Sequence, residues 1–275
     1  MSWRSLPRWI FYTLLLIVFV GPFWAFAVTA FSGVTLQPGR LLLWPEALTL
    51  ENFHYAWVKS QVWRYLLNSL IVVTIGTVLQ VSVSALAAYA LARKRFRGAA
   101  AVSLLILSTM MLPEEVIAIP LYIVLGDLPL LNISLLNTHA GMILPVVGWA
   151  FSIFMLTEFM KKVPPELEEA ARVDGANEWQ IFWVVILPLV KPALGSVAVF
   201  GFIMIWDQYL LPLIVANRDD LYTLPVALAT VRADETMPPA VFVAITLIAM
   251  APSILIYLAM QKAFNRGLLM GAVKG

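Results

Sequence analysis

The chain contains no cysteine, which excludes disulfides, iron–sulfur clusters and thiol catalysis. Histidine is nearly absent. His54 and His139 are the only two, far apart and without flanking ligand spacing, so no metal site is expected. There is no G-x-x-x-x-G-K-[ST] run to cradle phosphates and no nucleophile beside a positioned base. No catalytic residue and no cofactor bound by this chain are expected. Charge is scarcest of all, at 12% of 275 residues, where a soluble domain carries about a quarter. The net charge of +2 says little about partners, and no nucleic-acid partner is expected.

What the chain has in place of charge is apolar side chains, at 61% of residues with a mean hydropathy of +0.88. Water cannot be the solvent for so much apolar surface, so membrane lipid must be. A hydrocarbon core needs about 20 mostly apolar residues per helix. Six stretches qualify, at about 9–31, 66–92, 99–125, 141–160, 191–216 and 239–261. The third is interrupted by Pro113 and Pro120, tolerable where neighbouring helices satisfy the freed backbone groups. The first resembles a signal peptide in having Arg4 and Arg8 ahead of it and Ala25-Phe26-Ala27 near its end. Its apolar run is long for a signal core, which favours a retained helix.

Lysine and arginine set the expected orientation. Thirteen of the 18 basic residues, from Arg4 to Lys274, fall on one side of such a six-helix path. Only Arg40, Lys59, Arg64, Arg218 and Arg232 fall on the other. Both termini are therefore expected in the cytoplasm. The block Arg93-Lys94-Arg95-Phe96-Arg97 reads as a short inner loop that pins topology, with a nucleic-acid or lipid patch as the alternative.

One passage breaks the apolar rule. Lys161 to Glu178 holds eight charges: Lys161, Lys162, Glu166, Glu168, Glu169, Arg172, Asp174 and Glu178. Burying all of them in lipid would cost on the order of 20 kcal/mol or more, so the stretch lies outside the hydrocarbon, on the cytoplasmic side by the parity of spans. Pro164-Pro165 suits a helix start. Glu166, Glu168 and Glu169 then complement the helix dipole, and Glu168 stands four residues before Arg172. Leu167, Ala170, Ala171 and Asp174 share a small, shallow face. Gly175 ends this helix with a positive φ. Asn177 caps a second one, with Gln180 three residues on, and the chain re-enters the membrane near Ile181. The result is either a docking element or a solvated connector.

At these residues the sequence resembles a known family. Glu169-Ala170-Ala171, Asp174-Gly175-Ala176 and Leu187-Pro188 are similar to the EAA loop of permease subunits in binding-protein-dependent ABC importers, with Val185 where isoleucine is usual. Further segments resemble the carbohydrate-uptake branch, and within it the shorter permease of maltose-type systems: Leu50-Glu51-Asn52-Phe53, Asn68-Ser69, Pro120-Leu121-Tyr122, Leu136-Asn137-Thr138, Trp206-Asp207 and the ending Gly271-Ala272-Val273-Lys274-Gly275. Trp206-Asp207-Gln208 departs from the branch's commoner W-N-D/E. The resemblance implies an all-α membrane protein of six transmembrane helices, one permease domain over 1–275 with the type I importer fold, and a coupling helix in a cytoplasmic loop over 161–188. It implies a second homologous permease, a dimer of cytoplasmic ATPase subunits that uses ATP and Mg, and an extracytoplasmic solute-binding protein. The solute would be a sugar, polyol or glycerol phosphate, carried across a bacterial or archaeal inner membrane. Glu169 would contact the ATPase, Ala170 and Ala171 would let the helix sit low, Gly175 would set the bend flanked by Asp174 and Ala176, and Pro188 would stiffen the re-entry.

Polar residues within spans usually face a bundle interior or cavity. Asn68, Ser69, Gln80, Ser82, Ser84, Tyr122, Ser152, Trp206, Asp207, Gln208 and Tyr209 are candidates for a solute path. Ordinary interhelical contacts, or a helix end at the outer interface where Trp and Tyr concentrate, are the alternative reading. Glu114 and Glu115 read as an outer break in the third span, and the loop from Arg218 to Glu235 as an outward surface. Two other classes compete with the importer subunit. An ion-coupled secondary transporter would need more intramembrane ionisable groups, and a membrane scaffold leaves the glycine-hinged loop unexplained. Gly175→Asp is expected to abolish solute uptake while leaving membrane insertion intact, as read by transport assays beside membrane fractionation.

Overall fold

The computed structural model describes residues 6–33, 43–45, 47–129 and 131–272, and no strand occurs among them. Four helices are long and apolar enough to cross a membrane: Arg8–Ala30, Val62–Arg93, His139–Lys161 and Pro239–Ala259. Two further spans are bent pairs, Ala99–Thr109 with Glu114–Gly126 at 106° and Glu178–Leu189 with Lys191–Trp206 at 78°, making up to six.

The chain divides into two compact units, one of Met1–Leu66 with Leu224–Pro252 and one of Leu67–Thr223 with Ser253–Gly275. In the first lie α1 (Leu6–Ala30) and α2 (Glu51–Val58). Nearly all of the middle of α1 is exposed, as suits a helix whose solvent is hydrocarbon. Its end is tied down by polar groups. Ser32 Oγ donates to Val28 O at 2.6 Å. The fully buried Asn52 donates to Ala30 O at 2.9 Å and also to Ser32 O. Phe53 packs on Phe31 with ring centroids 4.9 Å apart. The Leu50–Phe53 segment thus works as a fastener for the end of α1.

The second unit is built on α3 (Val62–Arg93) from Leu67 onward, a helix that runs 32 residues without proline. It also contains α4 (Ala99–Thr109), α5 (Glu114–Gly126) and α6 (His139–Lys161). After them come α7 (Glu166–Val173), α8 (Glu178–Leu189), α9 (Lys191–Trp206) and α10 (Leu210–Val215). The window 99–125, read from sequence as one interrupted span, is thus two helices. Pro113 stands at the N-cap of α5 with extended backbone, φ −62° and ψ 140°. A proline there disfavours helix at the preceding residue, so α4 ends before it. The window 191–216 is likewise split, because α9 stops at Trp206 and α10 begins only at Leu210. α8 reaches past the end of the 161–188 loop window and bends at Val190. Six of its residues, Ile181–Ile186, follow π-helical hydrogen bonding. Pro188 lacks an N–H and crowds the carbonyl four residues back, a strain that a wider turn relieves.

The core that seats the charged loop joins α3, α6, α8 and α9. Ala85, Ala88, Leu156, Met160, Ile181, Phe182, Ile186, Ala193 and Val197 are buried together there. Close approaches at two glycines hold the helices near one another, as small residues do within membranes. A Cβ at Gly201 would strike Gln80 Oε1, the end of a side chain, whereas one at Gly141 would strike the backbone oxygen of Leu135. That oxygen belongs to the turn before α6, in which Thr138 accepts from Gly141 N at 3.1 Å and Asn137 N donates to Val215 O at 2.9 Å. Gly141→Ala is therefore expected to destabilise the protein by about 1–3 kcal/mol and Gly201→Ala by less, in thermal unfolding of the detergent-solubilised chain.

Candidate functional site

The loop after α6 folds from local signals that its sequence states openly. α7 starts directly after Pro165, with Glu166, Glu168 and Glu169 in its first turn. It stops in a glycine turn. Gly175 N donates to Arg172 O at 3.1 Å and Ala176 N to Ala171 O at 2.9 Å, the paired bonds of a Schellman motif. Gly175 has φ +85°, and nothing lies within 4 Å of where its Cβ would be. The backbone conformation, not space, calls for glycine. Asn177 and Gln180 then form a reciprocal capping box, with Gln180 N to Asn177 Oδ1 at 2.9 Å and Asn177 N to Gln180 Oε1 at 2.7 Å.

Two carboxylates turn the loop toward the end of α3. Glu168 is buried and ion-paired to Arg93 Nε, and Arg93 Nη2 donates to Val163 O at 2.8 Å. The two side chains are only 6% and 9% exposed, so each covers a charge that would otherwise be costly to bury. Glu178 is more exposed, paired to Lys94 Nζ and accepting from Tyr89 Oη at 2.9 Å. Lys94 also lies 4.9 Å above the Tyr89 ring. Arg172 reaches both carboxylates, 3.2 Å from Glu168 and 3.4 Å from Glu178. It thereby links α7 to α8 across the Gly175 turn. This network is the main feature that sequence reasoning missed. The signal available was the basic block Arg93–Arg97 facing an acidic loop, read only as a topology determinant.

The outer surface of α7 presents Glu166, Leu167, Glu169, Ala170, Val173 and Asp174, all exposed. Contrary to the expected shallow face, Ala171 packs inward on the core, as does Ala176, while Val173 is 88% exposed. Glu168 and Ala171, three residues apart, share the inward side of the helix. Pro188 is exposed on α8.

The candidate solute-path residues are scattered. Asn68 is committed to structure, donating to Asp220 O at 2.9 Å and Tyr222 O at 3.1 Å and lying 3.1 Å from His139 Nε2. Ser69 is buried. Trp206 is buried and stacked on Phe202, ring centroids 5.9 Å apart. Tyr122, Asp207 and Tyr209 are exposed. Gln208 alone joins a larger feature, a cavity of about 550 Å³. The helix breaks at 110–113, 147–149 and 207–209 all border it, with Glu114, Trp149, Phe151 and Gln208 among its lining residues. Gln208 Nε2 donates to Glu114 Oε1 at 3.2 Å. Glu114, which the sequence marks only as a break, therefore belongs to the cavity.

This arrangement, bent and broken apolar helices beside a cavity with a braced polar loop, is shared with a solved ABC importer chain, and the fold is that of a type I ABC importer permease subunit. The family described as binding-protein-dependent transport system inner membrane component matches residues 80–270, and the chain belongs to it. It is 36% identical over 259 residues to the diacetylchitobiose uptake system permease protein DasC of Streptomyces coelicolor, covering 92% of this chain and 91% of that one. It is 33% identical over 252 residues to the sn-glycerol-3-phosphate transport system permease protein UgpE of Shigella flexneri, covering 89% and 88%. Among solved structures, a chain of a bacterial ABC transporter involved in import of the acidic polysaccharide alginate superposes with a TM-score of 0.80 at 25% identity, over 96% of this chain and 99% of that one. These relatives give no support to the ion-coupled secondary transporter.

The hydrogen bond from Lys94, more than any other contact, holds the Glu178 carboxyl below its ordinary value of 4.5. A carboxyl depressed by folding stabilises the fold above its unfolded pKa, and that contribution disappears as pH falls through the folded value. With both groups partly exposed, the pair is worth no more than about 0.2–1 kcal/mol. Glu178→Gln is thus expected to lower thermal stability slightly at neutral pH. The difference from the native chain should close as pH falls below the ordinary carboxyl value and through the folded one, in unfolding curves recorded across pH.

Proposed function

We propose that this chain is one permease half of an ATP-driven importer for an oligosaccharide or a related polyol or glycerol-phosphate solute. In this reading the loop over 161–188 is cytoplasmic, both termini lie on that same side, and α7 seats in a dimer of ATPase subunits. A second homologous permease completes the pore, and an extracytoplasmic binding protein delivers solute. ATP is hydrolysed, with Mg, in the separate ATPase subunits. The observation that carries the reading is the contrast between the two sides of α7. Its inner side is bolted to α3 and the core. Its outer side offers Glu166, Glu169, Asp174, Ala170 and Val173 to another surface, an acidic rim around a small apolar centre. Such a face suits a basic, shallow cleft, because complementary charge sets orientation at a contact of this kind.

The solute class is supported by the relatives, whose names cite diacetylchitobiose and sn-glycerol 3-phosphate. The cavity beside Glu114, Trp149 and Gln208 offers a carboxylate, an amide and an indole ring. These are groups that hydrogen-bond hydroxyls and stack on a sugar face, in a volume within the range of about 300–1,000 Å³ usual for small-molecule pockets. Among the candidates for a solute path, Gln208 fits this role. Asn68, Ser69 and Trp206 fit a scaffold role, and Tyr122, Asp207 and Tyr209 line a path only if a partner permease covers them.

Glu169→Lys reverses a charge on the exposed face without touching the inner network. It is expected to lower co-purification of the ATPase subunit by about tenfold or more, while the chain still inserts in the membrane. Undiminished co-purification would remove α7 as the docking element.

A further inference from the structure

Chain connectivity suggests that a movement of α7 passes directly to α8 and α9, the next helices along the chain. That route contains the Gly175 turn, with its positive φ, the π-helical stretch Ile181–Ile186 and the 78° bend at Val190. Each is a place where displacement can be absorbed as bending. The polar attachments of the loop run elsewhere. Arg93 holds Glu168 and Val163 O, Lys94 and Tyr89 hold Glu178, and Arg172 ties those two carboxylates together across the turn. Both halves of the loop are therefore anchored to the last turn of one remote helix. Arg93 and Glu168 are covered by protein, so their attraction is little screened by water.

That helix, α3, is suited to carry what it receives. It is continuous over 32 residues, about 48 Å at 1.5 Å per residue, longer than the roughly 30 Å hydrocarbon core. Toward its other end Asn68 grips the backbone oxygens of Asp220 and Tyr222 and meets His139. The turn Asp219–Leu221 is further shaped by Arg218, whose Nη2 lies 2.7 Å from Asp220 Oδ2. A proline-free rod is thus clamped by polar groups near both ends.

We propose that Arg93, with Lys94, is a positioning residue that makes α3 the element driven by the loop, and that Asn68 joins the far end of that rod to the turn at 219–221. The inference rests on the coupling reading of α7. It adds that occupancy at the opposite face of the membrane reaches the ATPase through α3, and by linkage the reverse.

The test uses the assembled complex of this chain, the second permease, the ATPase subunits and the binding protein, reconstituted in lipid. ATP hydrolysis is measured with and without the binding protein. In the native complex the binding protein stimulates hydrolysis. In Arg93→Gln combined with Lys94→Gln, the ATPase still co-purifies and unstimulated hydrolysis persists, but the stimulation ratio falls to about one. Arg93→Lys, which keeps the charge but not the forked reach to both Glu168 and Val163 O, lowers the ratio partway. The exchanged pair Arg93→Glu with Glu168→Arg recovers part of it. Asn68→Ala, at the far end, lowers the ratio without loss of co-purification.

A merely structural role would lower yield and both rates together, leaving the ratio unchanged, and that result overturns the proposal. So does native stimulation in the Arg93→Gln, Lys94→Gln complex. Should the double variant fail to assemble, Arg93→Lys decides: an unaltered ratio there also overturns it. Failure of the ATPase to co-purify with the native chain is a different outcome, which removes the coupling reading itself.

Discussion

Glu168 carries a carboxylate almost wholly covered by protein, and Arg93 is the cation that makes such burial tolerable. The loop's geometry depends on this pairing. It joins the inward side of α7, where Ala171 also packs on the core, to the end of α3. It also fixes the loop to a helix 75 residues away in sequence. A buried ion pair is poor evidence for stability, since apolar groups of similar shape often serve as well. Its value lies in direction. An apolar contact tolerates sliding, whereas a forked guanidinium holding a carboxylate and a carbonyl fixes both distance and angle.

The rest of the second unit uses breaks where soluble proteins use loops. α4 and α5, the start of α6, and α9 with α10 each interrupt their helical hydrogen bonding. In lipid such interruptions survive only where protein or a cavity satisfies the freed groups. Here three of them border the same space. Breaks and cavity thus go together in this part of the unit: three interruptions lie where the chain lines a cavity.

Much of the fold was legible because its signals are local or compositional. Long apolar runs announced the helices. Gly175, Asn177 and Gln180 announced the stop and restart of the loop, since a positive φ and a capping box involve only residues within a few positions of each other. The pairings that fix orientation were not legible. Arg93 with Glu168, and Gln208 with Glu114 at 94 residues apart, join distant segments, and opposite charge or polarity alone does not say which side chains meet. Ala171 was misplaced for a related reason: helical periodicity shows which residues share a face, but not which way that face turns. Pro113 marked a break, yet nothing in its neighbourhood encoded the 106° angle between α4 and α5.

The π-helical stretch in α8 has a consequence for how this chain can change length. Each widened turn encloses one residue more than an α-turn between its bonded groups, so the segment behaves as an insertion absorbed without a loop. Removing one amino acid between Ile181 and Ile186 would let ordinary helix form on both sides. Because the wider turns advance less per residue, the helix on either side of the deletion would keep close to its present bearing. The indole ring of Trp179, exposed ahead of the stretch, and the ring of Pro188 behind it would then hold nearly the same relation about the helix axis.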